Sequence, residues 1–306
     1  MEIELRREQY EVLRNLSRFS VLLAHRRFGK TVLAIIILGL KAQQCKHRRP
    51  QVHYYAPSYS QAKRVAWAYC KEFYASTGAV FNESELKATF PSGAVLQLGS
   101  AENPDASRGI YSDYVVLDEP AQMPLRMWTE VLRPALSDRR GGALFIGTPQ
   151  GRHGLFFDSY QNANDDPLWW RGMYKASETG IIDDEELQAA RRAMSRAEYL
   201  QEYECDWSAA VRGAYYGETM NKIEEQQITR IPHDPGRQEH CAFDLGVNDS
   251  TAIWYFQLHG HEPRFIDYEE YQTTGLPEII GNMRTKPYNY GPMIFPHDVN
   301  VQSLST

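Results

Sequence analysis

The segment AHRRFGKT, from Ala24 to Thr31, constrains the fold of this chain more than any other feature of its sequence. It follows the apolar run FSVLLA, which is typical of a buried β-strand, and it opens a helical stretch that ends near Gln44. A loop between a strand and a helix directs backbone N–H groups at one point, where phosphate oxygens can bind. Lys30 would add a positive charge, the Thr31 hydroxyl would ligate Mg²⁺, and Gly29 would let the backbone approach the phosphates. The sequence therefore predicts a phosphate-binding loop.

One position departs from the usual pattern of such a loop. Ala24 stands where the first glycine is expected, and Arg26 and Arg27 occupy the middle of the loop. A Gly-Lys-Thr at the start of a helix also arises by chance, so this motif alone leaves both interpretations open.

A second motif supports the nucleotide interpretation. VVLDE is an apolar strand that ends in two acids, Asp118 and Glu119. Asp118 would hold the Mg²⁺ through water, and Glu119 would orient and polarise the attacking water. Both motifs follow predicted parallel strands, at the end of the sheet where such folds bind ligands. We therefore predict that this chain binds and hydrolyses ATP with Mg²⁺.

Strand-length apolar runs alternate with helical patterns throughout the first half, in FSVLLA, VHYYA, AVLQLGS, YVVLDE and ALFIGT. This alternation predicts an α/β fold, a mainly parallel sheet with helices on both faces. Together with the phosphate-binding loop, it indicates a fold of the P-loop (RecA/ASCE-like) kind. We expect this domain to occupy residues 1–180 and a helical linker to occupy 181–237. Strand patterns resume near His240, which places a second α/β domain at 238–306.

Composition and cysteine usage limit the class of protein. The net charge of −6 does not indicate a generally basic nucleic-acid binder, although it leaves local DNA contacts open. The four cysteines are widely spaced and show no zinc-finger pattern, which favours free thiols in a reducing compartment. No apolar run is long enough for a membrane span, so we expect a cytoplasmic protein.

Three further residues are candidates for the nucleotide site. Arg108, ten residues before Asp118, could supply positive charge to the γ-phosphate from its own subunit or a neighbour, or could be a surface arginine in a turn. Thr148, in IGTPQG, could sense the γ-phosphate or simply belong to a strand-to-loop turn. Gln9 could contact adenine, although a glutamine in a charged helix is usually solvated.

The sequence resembles the large terminase subunits of tailed double-stranded DNA phages in the order of its motifs. These are AHRRFGKT, APSYSQAKR, the Ser-Arg-Gly turn before VVLDE, and IGTPQG. The resemblance implies an N-terminal ATPase that drives DNA into a capsid and an RNase H-like nuclease that cuts concatemeric DNA. It implies roles in nucleotide binding for the loop residues, with Arg26 as the loop arginine, Arg108 as the arginine finger and Thr148 in the coupling motif. The loop residues concerned are Arg26, Arg27, Phe28, Gly29, Lys30 and Thr31.

The second half is consistent with this resemblance. CAFDLGVNDSTA places Asp244 at the end of a strand, and FPHD places Asp298 at the end of another. Two such carboxylates on adjacent strands can hold two divalent ions, Mg²⁺ or Mn²⁺, that activate water against a phosphodiester. Asp249 is a weaker candidate for the same site, and each aspartate could instead cap a turn. Because the family's nuclease needs a further acidic residue beyond this point, the resemblance implies a truncated, incomplete domain here, and we expect it to cleave DNA poorly or not at all.

Two alternatives stay open at this stage, a superfamily-two-like DNA helicase or translocase and a non-catalytic fragment. The resemblance implies double-stranded DNA, a small terminase subunit and a portal protein as partners, and a homo-oligomeric ring docked transiently on the procapsid in the bacterial host cytoplasm. The basic group Arg191, Arg192 and Arg196 could contact DNA or form a solvated helix face.

Overall fold

A computed structural model of the protein describes residues 4–208, 223, 231–245, 250–271 and 274–296. The chain divides into two compact units, Met1–Asn221 and Lys222–Thr306. Among the described residues, no helix is both long and apolar enough to cross a bilayer.

The first unit is built on an eight-stranded sheet. Its strands are β1 (Phe19–Ala24), β2 (Gln51–Ala56), β3 (Val80–Asn82), β4 (Lys87–Thr89), β5 (Val95–Ser100), β6 (Tyr114–Asp118), β7 (Gly142–Gly147) and β8 (Trp169–Tyr174). They lie in the order β3-β4-β5-β2-β6-β7-β1-β8. From β5 to the β8 edge, neighbouring strands pair in parallel, and β3 and β4 add an antiparallel hairpin at the other edge.

Helices connect the strands and cover both faces of the sheet. They are α1 (Arg7–Asn15), α2 (Lys30–Gln44), α3 (59–74, with a π-helical turn at Ala62–Ala66), α4 (127–135, which begins with a π-helical turn), α5 (Gly154–Asn162), α6 (Ala176–Thr179), α7 (Asp184–Ala193) and α8 (Arg196–Glu204).

Successive residues of the central strands contribute to two separate cores. On β6, Val116 packs into the core that also contains α2 and α3, whereas Val115 and Leu117 pack into the core that contains α4 and α5. Strand side chains alternate between the two faces of a sheet, so a strand covered on both sides must be apolar throughout. This explains why the central strands have continuous apolar sequences, and it confirms the predicted parallel α/β fold.

The second unit contains a four-stranded sheet in the order β11-β10-β9-β12. Its strands are β9 (Glu239–Asp244), β10 (Thr251–His259), β11 (Glu262–Tyr271) and β12 (Tyr290–Ile294), and its helix is α9 (Leu276–Thr285). β10 pairs antiparallel with β9 and β11, whereas β12 pairs parallel with β9. Helix α9 packs Ile279 and Met283 against one face of this sheet.

The division of the chain differs from the predicted boundaries at 180 and 237. Helices α7 and α8, which we expected in a linker, belong to the first unit. α8 is attached at Glu202, whose carbonyl accepts from the Arg26 backbone N–H at 2.8 Å, and just after its end, where the Cys205 thiol donates to the Tyr174 carbonyl at 3.4 Å. α7 is attached to α8 by the ion pair of Arg191 with Glu204 at 3.9 Å. The Glu, Gln and Arg residues of α7 are exposed, whereas those of α8, apart from Arg196, are partly buried.

β8 and α5 are not among the elements predicted from the sequence. β8 is an edge strand that pairs with β1, and each of its residues is only partly buried. Its sequence WWRGMY therefore lacks the continuous apolar character by which we recognised the central strands.

His53 on β2 is a buried histidine away from the candidate site residues. Its Nδ1 lies 2.8 Å from Ser112 Oγ, and its side chain stacks beside Tyr55. Burial lowers the pKa of His53 from 6.5 to about 4, against a smaller opposing effect of Asp113. The unfolded chain therefore binds a proton at this residue below pH 6.5 that the folded chain does not accept until about pH 4.

We expect the free energy of unfolding to fall as the pH is lowered through this window, with His53 contributing roughly 2 kcal/mol of the loss between pH 7 and pH 5. Urea unfolding of the wild type and of His53→Gln at both pH values measures this contribution, because the variant should lose that part of the pH dependence. The exposed His153 provides a matched control as His153→Gln. Equal pH dependence in wild type and His53→Gln would contradict the prediction.

Candidate nucleotide site

The loop between β1 and α2 turns on one glycine. Gly29 is the N-cap of α2 and has a left-handed backbone with φ of 90°. A Cβ atom at this position would lie 2.6 Å from Nε2 of Gln9, so both the backbone angle and the close approach of Gln9 require glycine. The backbone N–H groups of the first turn of α2 have no partner within the helix and are oriented for an anion.

Phe28 anchors this loop to the protein interior. Its ring is fully buried between His25 and Tyr174, at centroid distances of 5.8 and 5.1 Å. We expected Phe28 to take part in nucleotide binding. The structure places its side chain in the core, so only its backbone is available for that role.

The start of α1 holds the loop from the other side. Arg6 Nη1 donates to the carbonyls of Arg27 and Phe28 at 2.9 and 3.0 Å. Gln9 Nε2 donates to the carbonyls of Phe28 and Gly29, both at 3.3 Å, while its amide oxygen accepts from the Arg6 N–H. Gln9 is 4% exposed. Its side chain therefore fixes the shape of the loop, and its contact with adenine stays a prediction.

Lys30 and Thr31 lie where α2 meets the end of β6. Lys30 Nζ donates to the carbonyls of Ala24 and His25 at 2.7 and 3.2 Å. Thr31 Oγ1 donates to Asp118 Oδ2 at 3.1 Å. Because the Thr31 hydroxyl gives its hydrogen to Asp118, its lone pairs remain for a cation, which matches the oxygen donors that Mg²⁺ requires.

Tyr54 is a member of this site that the sequence analysis missed. Its hydroxyl donates a short hydrogen bond to Asp118 Oδ2. Tyr54 lies on β2, which pairs with β6, and its ring is 2% exposed. We interpreted VHYYA only as a buried strand. The sequence signal that could have identified Tyr54 is a tyrosine on the predicted strand that neighbours the strand ending in Asp118.

Glu119 has an unusual backbone and a close neighbour. Its φ of 54° is left-handed, which is uncommon for a residue other than glycine. Its backbone N–H donates to the Ile146 carbonyl at 2.8 Å, and its Oε2 accepts from the Thr148 N–H at 3.3 Å. A Cβ atom at Gly147 would lie 3.1 Å from that same Oε2. The end of β7 therefore determines where the Glu119 carboxylate lies.

The two carboxylates share one positive charge. Burial raises the pKa of Asp118, against the Tyr54 hydroxyl bond and the charge of Lys30. Burial also raises the pKa of Glu119 to about 7, again opposed by Lys30 and reinforced by Asp118. A buried carboxylate with a raised pKa beside a cation is expected of a general base.

The side chains of the three candidate arginines, Arg26, Arg27 and Arg108, are exposed. Arg26 Nε lies 3.6 Å from Glu202. Arg108 forms ion pairs with Asp105 at 2.5 Å and Glu130 at 2.8 Å. These partners direct Arg108 at α4 and its neighbouring loop, so its role as an arginine finger stays a prediction.

Among the predicted nuclease ligands, the structure describes only Asp244. It is exposed at the carboxyl end of β9. Asp249 and Asp298 lie outside the described residues. The parallel neighbour of β9 is β12, which ends at Ile294, four residues before Asp298 in the sequence.

Comparison with known proteins identifies relatives of this chain. No protein-family model matches it. It is 28% identical over 269 residues to the large terminase subunit of Escherichia phage T5, covering 83% of this chain and 59% of that protein. It is 41% identical over 181 residues to the large terminase subunit of Thermus phage G20c, covering 51% of this chain and 36% of that protein. The chain thus spans less than two thirds of the length of these relatives.

Solved structures give the same result for the fold. The ATPase domain of the Thermus phage P74-26 large terminase superimposes with a TM-score of 0.55 at 21% identity, covering 67% of this chain and 94% of that domain. The large terminase of a thermophilic bacteriophage, solved in complex with ADP, gives 0.56 at 14% identity, covering 95% of this chain and 77% of that one. The chain is therefore similar in sequence to part of the large terminase subunits of phages, and similar to them in fold.

Proposed function

We propose that this chain is a subunit of an ATP-driven motor that packages double-stranded DNA into a phage capsid. The observation that carries the proposal is the convergence of Lys30, Thr31, Asp118 and Glu119 at the ends of β1 and β6, linked by the 3.1 Å hydrogen bond from Thr31 to Asp118. Its relatives are large terminase subunits, and one structural neighbour was solved with ADP. Homology favours a packaging ATPase over a helicase.

The geometry supports a specific division of labour. The α2 N-terminus and Lys30 would bind the β- and γ-phosphates. A bound Mg²⁺ would supply positive charge against the negative charge that develops during transfer. Thr31 would ligate it, and Asp118 would hold its water shell. Glu119 would accept a proton from the attacking water, and its bond to the Thr148 N–H would couple the state of the site to the loop after β7.

The proposal includes the partners of the motor, which are double-stranded DNA, a small terminase subunit and a portal protein. It also includes a homo-oligomeric ring that docks transiently on the procapsid in the host cytoplasm. Among the basic residues of α7 and α8, Arg191 lies 3.9 Å from Glu204 and stacks over Tyr199 at 4.7 Å. Arg192 and Arg196 are exposed and are the better candidates for phosphate contacts.

The second unit is proposed to belong to an RNase H-like nuclease that uses two divalent ions, Mg²⁺ or Mn²⁺. Its central strand β9 has an antiparallel neighbour and a parallel one, and Asp244 ends that strand. Asp244 would be one metal ligand, with Asp298 and Asp249 as the others. The ions would activate water for attack on the phosphodiester.

Two substitutions test the ATPase. Glu119→Gln should lower kcat for ATP by at least about 100-fold, because it removes the base while keeping the shape of the side chain, and it should leave ATP binding intact. Lys30→Ala should lose ATP binding, because it removes the charge on the phosphates. Phosphate release and fluorescent-nucleotide binding, with and without DNA, measure the two effects. Exposed Glu186 on α7 provides the matched control as Glu186→Gln. Wild-type turnover by Glu119→Gln would overturn the assignment.

Gly147→Ala tests the position of the carboxylate. The new Cβ would approach Glu119 Oε2 at 3.1 Å and displace it, so we expect kcat to fall roughly tenfold while ATP affinity stays within about twofold. A steady-state ATPase assay measures both. Gly281→Ala in α9 is the control, because a Cβ there has no neighbour within 4 Å. An unchanged kcat for Gly147→Ala would show that the approach of β7 does not fix Glu119.

Asp244 is tested by metal binding in the absence of nucleotide. Asp244→Asn should weaken Mn²⁺ binding to the second unit at least tenfold, because it removes a charged oxygen ligand, and it should leave the ATPase rate unchanged. Water-proton relaxation measures bound Mn²⁺. Glu262→Gln, exposed at the start of β11, controls for a general loss of negative charge. Equal Mn²⁺ affinity in wild type and Asp244→Asn would contradict a metal role for Asp244.

A further inference from the structure

Three residues with metal-binding side chains meet at the end of the sheet opposite the nucleotide site. Cys45 is the C-cap of α2, His47 follows two residues later, and Asp113 directly precedes β6. One potential ligand atom from each of these residues lies within 4.8 Å of the other two. None of the three takes part in the proposed function.

The distances suit a tetrahedral ion. Zinc binds sulfur at about 2.3 Å and nitrogen at about 2.0 Å, so tetrahedral geometry separates these two ligand atoms by about 3.5 Å. Cys45 Sγ lies 3.6 Å from His47 Nδ1. His47 Nδ1 lies 2.6 Å from Asp113 Oδ1, a hydrogen-bond distance that would open to about 3.3 Å around an ion. Since the His47 side chain is half exposed, it has room for a movement of this size.

The carboxylate is already oriented by other groups. Asp113 Oδ2 accepts from the Gln51 N–H at 2.7 Å and from Arg139 Nη1 at 3.0 Å. These bonds use one oxygen and leave Oδ1 directed at His47. Support of this kind, in which a ligand is held by hydrogen bonds to its other atoms, is typical of metal sites in proteins.

The charges also balance. A thiolate from Cys45 and the carboxylate of Asp113 together cancel the two charges of a divalent ion, so Arg139 can keep its bond to Oδ2 beside a neutral complex. A cavity of about 550 Å³ adjoins the three residues and is also lined by Lys41, Tyr114 and Arg140. It offers space for water as the fourth ligand.

We propose that Cys45, His47 and Asp113 form a binding site for Zn²⁺ or a similar borderline divalent ion. The combination of sulfur, imidazole and one carboxylate favours zinc over Mg²⁺, which prefers oxygen ligands alone. The ion would join the carboxyl end of α2 to the start of β6. Thr31 lies at the other end of α2 and Asp118 at the other end of β6. A bound ion would therefore fix the position of α2 relative to β6, and with it the position of Thr31 relative to Asp118.

Cobalt spectroscopy of the full chain tests the site. Co²⁺ bound to a thiolate gives a near-ultraviolet charge-transfer band that oxygen-only sites do not give, so Co²⁺ at the ATPase or nuclease residues does not interfere. We expect this band in the wild type at one equivalent, its loss on addition of Zn²⁺, and its absence in Cys45→Ser. The other three cysteines are buried, which leaves Cys45 as the accessible thiol.

Zinc affinity provides the second measurement. Competition with a chelating dye should show Zn²⁺ binding at least tenfold weaker in Cys45→Ser and in His47→Gln than in the wild type. His153→Gln is the matched control and should bind as the wild type does. Thermal unfolding without metal verifies that each variant is folded, and Zn²⁺ should raise the unfolding temperature of the wild type and of His153→Gln only. Absence of the thiolate band in the wild type, or its persistence in Cys45→Ser, would overturn the proposal.

Discussion

The parallel pairing of β7 with both β6 and β1 determines where the residues of the nucleotide site lie. Asp118 pairs with Ile146, and Leu23 pairs with Gly147, so three strands end at the same level of the sheet. The loop to α2, the acidic pair and the Thr148 turn all begin at this level. A shift of one residue in either pairing would turn Asp118 or its neighbours toward the opposite core. The hydrophobic cores on the two faces of the sheet fix the strand register, and they therefore also fix the positions of the site residues.

The sequence predicted most of this fold because its strong signals are local. The apolar runs of β1, β6 and β7 and the strand-loop-helix pattern around Lys30 depend on neighbouring residues alone. The same applies to Asp118 and Glu119, which end a recognisable strand. Edge strand β8 and the packing of α8 on the Arg26 backbone were not predictable in this way, because their residues are stabilised by partners far away in the sequence.

Some residues of the site also depend on contacts between positions far apart in the sequence, and these were not predicted. Tyr54 contacts Asp118 across 64 positions of sequence, and Gly147 matters only because Glu119 lies against it. Gln9 likewise holds the loop through hydrogen bonds to the carbonyls of Phe28 and Gly29, 19 and 20 positions away in the sequence. Pattern recognition finds residues that carry charge or metal. It does not find those that position them, because positioning depends on tertiary contacts.

The phosphate loop obtains its shape from side chains more than from glycines. Between Ala24 and Lys30 the only glycine is Gly29, and Phe28, Arg6 and Gln9 hold the remaining backbone from both sides. A loop held in this way has little conformational freedom left to lose when a ligand arrives. Nucleotide exchange should consequently proceed without reordering of the loop backbone, and the speed of a repeated cycle would be set by the parts around the loop that move.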